Sequence, residues 1–156
     1  MSIRDKLTRL HRDAVRIRHD GMCFVPQCGF GCDTAHLVSK GSNPHWRWEY
    51  ENGVLACRVH HGWLDGQSSM SKKYLMLNAL ERHYAWQHAW MLEHQNKSAS
   101  PWKQTQLEAK VEELKAYIVL LRNVAPAYRS LVRIEQGRLV VCEASEGHPR
   151  ALRGVA

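Results

Sequence analysis

The chain has 156 residues, of which 44% are hydrophobic and 24% charged, which excludes collagen-like, low-complexity and fully disordered classes and fits one folded domain with appendages. No apolar run approaches the roughly 18 residues of a membrane span, and Met1-Ser2-Ile3-Arg4-Asp5-Lys6 lacks a secretory apolar stretch, so a soluble cytoplasmic protein with no membrane partner is expected. The net charge of +7 is uneven: residues 1 to 19 carry six Lys/Arg against two Asp, residues 20 to 97 seven against seven, and residues 98 to 156 nine against six. Two basic flanks around a neutral middle suit a polyanionic partner, although basic helix faces that only confer solubility would produce the same count.

Three regions follow in chain order. Residues 1–20 form a basic N-terminal helix: Ser2 can cap it, and Leu7, Leu10, Ala14 and Ile17 recur at helical spacing, with Arg4, Arg9, Arg12 and Arg16 outside that stripe. Asp20-Gly21 ends it. Residues 21–97 begin with an irregular Gly/Pro/Asn/Cys-rich stretch in which Thr34 to Val38 and Trp46 to Tyr50 read as short extended segments of a hairpin. A short helix within Leu55 to Leu64, broken near Gly66, precedes a longer one from Ser71 to about Gln95 with apolar Tyr74, Leu77, Leu80, Tyr84 and Met91. Residues 98–156 hold a helical extension after the Asn96–Ser100 linker. Its Leu107, Val111, Leu114, Ile118 and Leu121 alternate four and three apart, which suits packing on the domain's own core first and a homodimer seam second. Leu131 to Cys142 reads as a hairpin around Gln136-Gly137, followed by a disordered tail.

Four of the five cysteines and seven of the ten histidines lie in the middle region. In a reducing compartment they point to metal or free thiols before disulfides. Cys23-x4-Cys28 and Cys57-x2-His60 are two pairs, each short enough for one turn to present both ligands, and together they supply the four ligands of a closed structural zinc site. Cys32 offers an alternative knuckle with Cys28; Cys142 reads as a small buried apolar residue. Adjacent residues on a helix point about 100° apart, so if His60 turns to zinc, His61 faces a different site, and the strand carrying His36 is the nearest candidate. Asp33 and His36 fall on opposite sides of an ideal strand, so both join one site only where the strand bends or ends. His45, His83, His88 and His94 have no ligand spacing and read as surface or packing residues. Trp46, Arg47, Trp48 and Tyr50 suit either nucleic-acid contact or packing of the hairpin on the helix, and Trp86, Trp90 and Trp102 look like core.

The ordered set Cys23-x4-Cys28, Ala35-His36-Leu37, Asn52-Gly53-Val54-Leu55-Ala56-Cys57 and Arg58-Val59-His60-His61 resembles the HNH nuclease family over residues 22 to 65. The stretch from Cys32 through Arg47, Glu51-Asn52 and Cys57 looks most like the NinG/Rap-type phage recombination endonucleases, which act on branched DNA, although that pattern has Cys and Asn where this chain has His60 and His61. The resemblance implies an α+β fold, a ββα-metal finger of treble-clef type with a structural zinc knuckle, flanked by the basic helix and C-terminal helices. It implies His36 as the general base that activates water, Asn52 as the residue fixing the loop that orients it, and His61 as a ligand of a catalytic Mg²⁺ or Mn²⁺. Many family members carry a metal ligand directly before the base; here that place is Ala35, which leaves Asp33 as the second candidate. DNA is the implied substrate, cut to 3′-hydroxyl and 5′-phosphate ends; with such a substrate, the basic helix with Arg9, Arg12 and Arg16, the C-terminal region, and Arg47 are the expected grips on its backbone. A non-catalytic zinc-containing nucleic-acid-binding module and a site-specific homing or restriction enzyme are the competing readings.

Overall fold

The computed structural model describes residues 1–41, 43–65, 69–135 and 138–141. It is an α+β protein of five α-helices and two separate two-stranded antiparallel sheets among those residues. No helix there is long and apolar enough to cross a membrane.

Helix α1 (Ile3–Arg18) opens with a capping box in which the Ser2 hydroxyl accepts the Asp5 N–H and the Asp5 carboxylate accepts the Ser2 N–H, satisfying two donors that a helix start leaves bare. Its buried face is Leu7, His11, Ala14, Val15 and Arg18. Two polar residues thus lie within the stripe that apolar spacing assigns to Leu7, Leu10, Ala14 and Ile17; Leu10 and Ile17 pack at its margin. The stripe accepts them because each has a backbone partner. Arg18, fully buried, donates to the carbonyls of Tyr50 and Gly53, and His11 Nε2 donates to the Glu49 carbonyl at 2.9 Å.

After the knuckle, β1 (Asp33–His36) pairs with β2 (Gly53–Ala56), with Ala35 opposite Val54 and His36 opposite Gly53. The first strand lies where Thr34–Val38 was expected. The second does not: Trp46–Tyr50 is not extended, and Pro44–Trp48 and Tyr50–Asn52 are 3₁₀ turns. Pro44 starts the first turn, where a missing N–H costs nothing, and Trp48 and Tyr50 are both driven into the core against α1 and the C-terminal helix. They are therefore packing residues, unavailable to nucleic acid. Gly53 opens β2 because α1 crosses it at contact distance: a Cβ there would lie 2.6 Å from Val15 Cγ2 and 2.9 Å from His11 Cε1.

Helix α2 (Arg58–Leu64) follows β2 with Cys57 as its N-cap. The single long helix expected from residue 71 to 95 is two, α3 (Met70–His83) and α4 (Ala85–His94). Tyr84 breaks them with φ −141° and ψ 48°, and its ring is buried against His19 and Phe24. Tertiary packing overrides helix propensity here. Tyr74, expected in the apolar stripe, is 60% exposed. The linker before α5 is tied down: Trp46 Nε1 donates to the Lys97 carbonyl, His45 Nδ1 to the Ser100 carbonyl and Trp102 Nε1 to the His45 carbonyl.

Helix α5 (Gln104–Asn123) buries Leu107, Val111, Leu114, Ile118 and Leu121, in one hydrophobic cluster with Leu7 and Ala14 of α1. The heptad-like stripe is used inside the chain, so it offers no homodimer seam. β3 (Val132–Glu135) and β4 (Arg138–Val141) form the expected C-terminal hairpin. Gly66, Gln136-Gly137, Cys142 and the tail lie outside the described residues.

Candidate metal centre and adjoining cleft

The knuckle is a turn closed by its own backbone. Cys28 N–H donates to Val25 C=O and Cys23 N–H to Gly29 C=O, with Gly29 at φ +100°, a conformation glycine adopts without penalty. This returns Cys23 and Cys28 toward the start of α2. There the sulfurs of Cys23, Cys28 and Cys57 and a ring nitrogen of His60 all lie within 4.8 Å of one another. Zinc bonds of about 2.3 Å to sulfur and 2.0–2.1 Å to nitrogen imply tetrahedron edges of about 3.8 Å between sulfurs and 3.5 Å from sulfur to nitrogen. The cluster has 3.6 Å from Cys28 Sγ to Cys57 Sγ and 3.4 Å from His60 Nδ1 to both Cys23 Sγ and Cys57 Sγ. Donor type, number and spacing fit a metal ion such as zinc.

Electrostatics agree. Burial, then contacts with Cys57 and Cys23, push the Cys28 thiol up to about 12. Burial also opposes ionisation of Cys57, yet N–H groups of His60 and Val59 at the helix start, with its thiol neighbours, draw it below its ordinary value. Cys57 favours its thiolate and Cys28 resists ionising beside it, a conflict that a divalent cation would remove. Cys32 is exposed and outside the cluster, its sulfur 3.5 Å from Asp33 Oδ2, so the Cys23–Cys28 pairing holds over the Cys32 alternative.

His61 turns away from the cluster occupied by its neighbour. It lines a cleft of about 560 Å³ together with His36, Lys40, Asn43, Asp65 and Lys73. Its Nε2 is 3.1 Å from Asp65 Oδ2 and its Nδ1 3.8 Å from Asp33 Oδ2. Asp33 is not among the cleft-lining residues, whereas Asp65 is. Asp65 escapes sequence reasoning, although its position four residues after His61, one helical turn on, is the available signal.

His36 ends β1. Its Nε2 is 3.1 Å from the Arg47 carbonyl, and because a carbonyl only accepts, the proton sits on Nε2 and Nδ1 carries the lone pair. Burial lowers its pKa to about 4, so the ring is neutral at pH 7. Asn52, fully buried, spans the loop between His36 and Arg47: its Oδ1 accepts the Val38 N–H at 2.6 Å and its Nδ2 donates to the carbonyls of Val38 and Trp46 at 3.1 and 2.8 Å. Asn52 thus braces the segment that supplies the His36 acceptor. Arg9, Arg12 and Arg16 are exposed; Arg47 is half-buried, its guanidinium 5.6 Å from the Trp48 ring centroid. His45 and His94 are engaged in ring contacts with Trp46, Trp90 and Trp102, the packing role expected.

Fold and site together define an α+β protein with a Cys3His cluster able to hold a metal ion such as zinc, beside a cleft shared by two further histidines. No protein-family model, curated protein or solved structure matches the chain.

Proposed function

We propose that the protein is a metal-dependent DNA endonuclease of the HNH type, with β1, β2 and α2 acting as a ββα-metal finger stapled by structural zinc. The observation that carries this reading is the division of labour between adjacent histidines: His60 belongs to the Cys3His cluster, while His61 lines the cleft that His36 also lines. Two imidazoles 25 positions apart on one small cleft, with Lys40 and Lys73 on its walls, suit an anionic phosphodiester.

In this reading His36 accepts the proton of the attacking water at Nδ1, its Nε2–H anchored on Arg47, a contribution typically worth about 10² to 10⁴ in rate. Asn52 keeps that anchor in place. His61 and Asp65 hold a divalent cation, Mg²⁺ or Mn²⁺, which when bound supplies charge neutralisation at the phosphate. One imidazole and one carboxylate suffice for such an ion, which keeps several waters. Lys40 and Lys73 draw the phosphate into the cleft, and Arg9, Arg12 and Arg16 contact the backbone further off. Branched recombination intermediates are the proposed substrate class on the strength of the sequence resemblance. The competing reading, a zinc-containing binding module, draws support from His61, whose two nitrogens both face carboxylates.

His36→Ala separates them. Incubated with supercoiled and four-way-junction DNA and Mg²⁺ or Mn²⁺, the zinc-loaded wild type is expected to cut and the variant to bind without cutting, at least about 10²-fold slower. Equal inactivity of both across substrates and metals would favour the binding module.

A further inference from the structure

The His36 ring has a backing that the HNH-type reading does not use. One edge is tied to Arg47. Against its face lies His11 of α1, with ring centroids 5.5 Å apart and planes 21° from parallel. His11 is itself held on several sides. It is 3% exposed, its Nε2–H donates to the Glu49 carbonyl, and its ring passes over Gly53 so closely that a side chain there would strike it. Glu49 is pinned in turn by its carboxylate, 2.6 Å from the Nζ of Lys110, a lysine of α5 that is 4% exposed and bonds Glu113 as well. A continuous chain of contacts therefore runs from α5 through Glu49 to His11 and ends on the face of His36.

We propose that His11 is a positioning residue for His36: its buried ring fixes the plane of the His36 imidazole, so that Nε2–H meets Arg47 and the Nδ1 lone pair is the one presented for proton transfer. This rests on the nuclease reading of the cleft for its catalytic consequence, but the ring geometry is testable without activity. The last torsion of a histidine side chain is broad, so a single hydrogen bond at the ring edge leaves the tilt of the plane loosely held. A flat neighbour of fixed tilt narrows that freedom and keeps Nε2–H aimed at its acceptor. Both rings are suited to stacking as neutral imidazoles: burial lowers His11 to about 3 and His36 to about 4, so no pair of like charges opposes the contact at neutral pH. The N-terminal helix thereby does more than carry basic residues. It backs the His36 ring from behind the cleft, and Lys110 of α5 holds that backing through Glu49.

The test uses the zinc-loaded full chain and nitrogen-15 NMR of the histidine side chains, with the His36 signals identified by their loss in His36→Gln. Wild type is expected to show His36 as one Nε2–H tautomer. His11→Leu and His11→Met, both made so that one folded apolar variant suffices as judged by melting temperature and zinc content, are expected to show mixed tautomers in exchange. His11→Phe, which restores a flat ring, is expected to return the single tautomer. If wild type cleaves DNA, saturated turnover should fall about 10²-fold in the apolar variants and recover in His11→Phe, because misplacing a catalytic group by about 1 Å costs that much. A His36 tautomer indifferent to residue 11, or turnover unchanged when His11 is Leu or Met, overturns the proposal. A tautomer that responds in a protein that never cuts upholds the positioning and removes the nuclease reading alone.

Discussion

Leu107, Val111, Leu114, Ile118 and Leu121 hold α5 against α1 by burial, whereas Cys23, Cys28, Cys57 and His60 bring the knuckle and α2 together by converging on a point. The two regions differ in what is added to apolar packing. The helical pair keeps its geometry from a continuous apolar surface, each side chain contributing a little, so no single side chain is indispensable. The knuckle rests on an apolar cluster too, Phe24 with Ala35, Val38, Val54 and Ala56 over Met76 and Leu80 of α3, and a metal held by its four donors would add ligand bonds that form together or not at all. Between them run the buried hydrogen bonds of Arg18, His11 and Gln87 to the backbone of residues 49 to 53, the last with Nε2 2.8 Å from the Glu51 carbonyl. That shared segment joins the knuckle region to the helical pair.

The sharpest way to break this comparison is to remove the metal. Chelation, or Cys57→Ser, is expected to abolish hydrogen-exchange protection across residues 22 to 65 while α1 and α5 keep most of theirs, with one metal ion released per chain in a colorimetric assay. Uniform loss of protection across both regions would show them to be a single cooperative unit. Next in size is Leu114→Ala, which opens a cavity at a fully buried position of α5 and should cost about 2–5 kcal/mol in denaturant melts while metal stoichiometry stays unchanged.

Acid titration follows. Folded His11 and His36 keep pKa values near 3 and 4 against an ordinary 6.5, so the unfolded chain takes up protons first as pH falls. Their contribution to stability is whole above pH 6.5 and is lost toward pH 4 and 3. Glu51 runs the other way: burial raises it to about 7 from 4.5, so its contribution is whole below pH 4.5 and is lost as pH rises to 7. Two histidines against one glutamate leave a net rise of about 1.4 kcal/mol per unit between pH 4.5 and 6.5 from these three groups. The same melts on His11→Phe should lack one histidine's share, flattening the curve by about that amount per unit. The smallest effect on stability belongs to replacing exposed Arg9, Arg12 and Arg16 together with Gln: within about 0.5 kcal/mol for each surface site. The salt dependence of DNA binding should nonetheless become shallower, by about 0.9 in logarithmic slope for each phosphate the protein ceases to neutralise.

Much of the molecule is legible in its sequence, and the places where that reading fails share a cause. The ligand pairs, the α1 and α5 stripes, the first strand and the C-terminal hairpin all announce themselves through spacing within a few residues. The second strand is misplaced because Trp46-Arg47-Trp48-Glu49-Tyr50 alternates as a strand would, yet its aromatic rings have a core to enter only once α1 and α5 are packed. Tyr84 breaks a helix with neither proline nor glycine, since its ring finds Phe24 and His19. His11 and Arg18 escape notice because polar residues in an apolar stripe look like errors until their backbone acceptors, more than 30 positions away, are in place.

Local order along the chain thus determined which residues pair as candidate ligands and which helices are amphipathic, because those properties depend on neighbours a few positions apart. Tertiary structure alone decided that Asp65 faces the cleft and that the N-terminal helix lays a histidine against His36. Buried polar groups tolerate only a few positions in space, and those positions exist only after distant backbone carbonyls have been brought within reach.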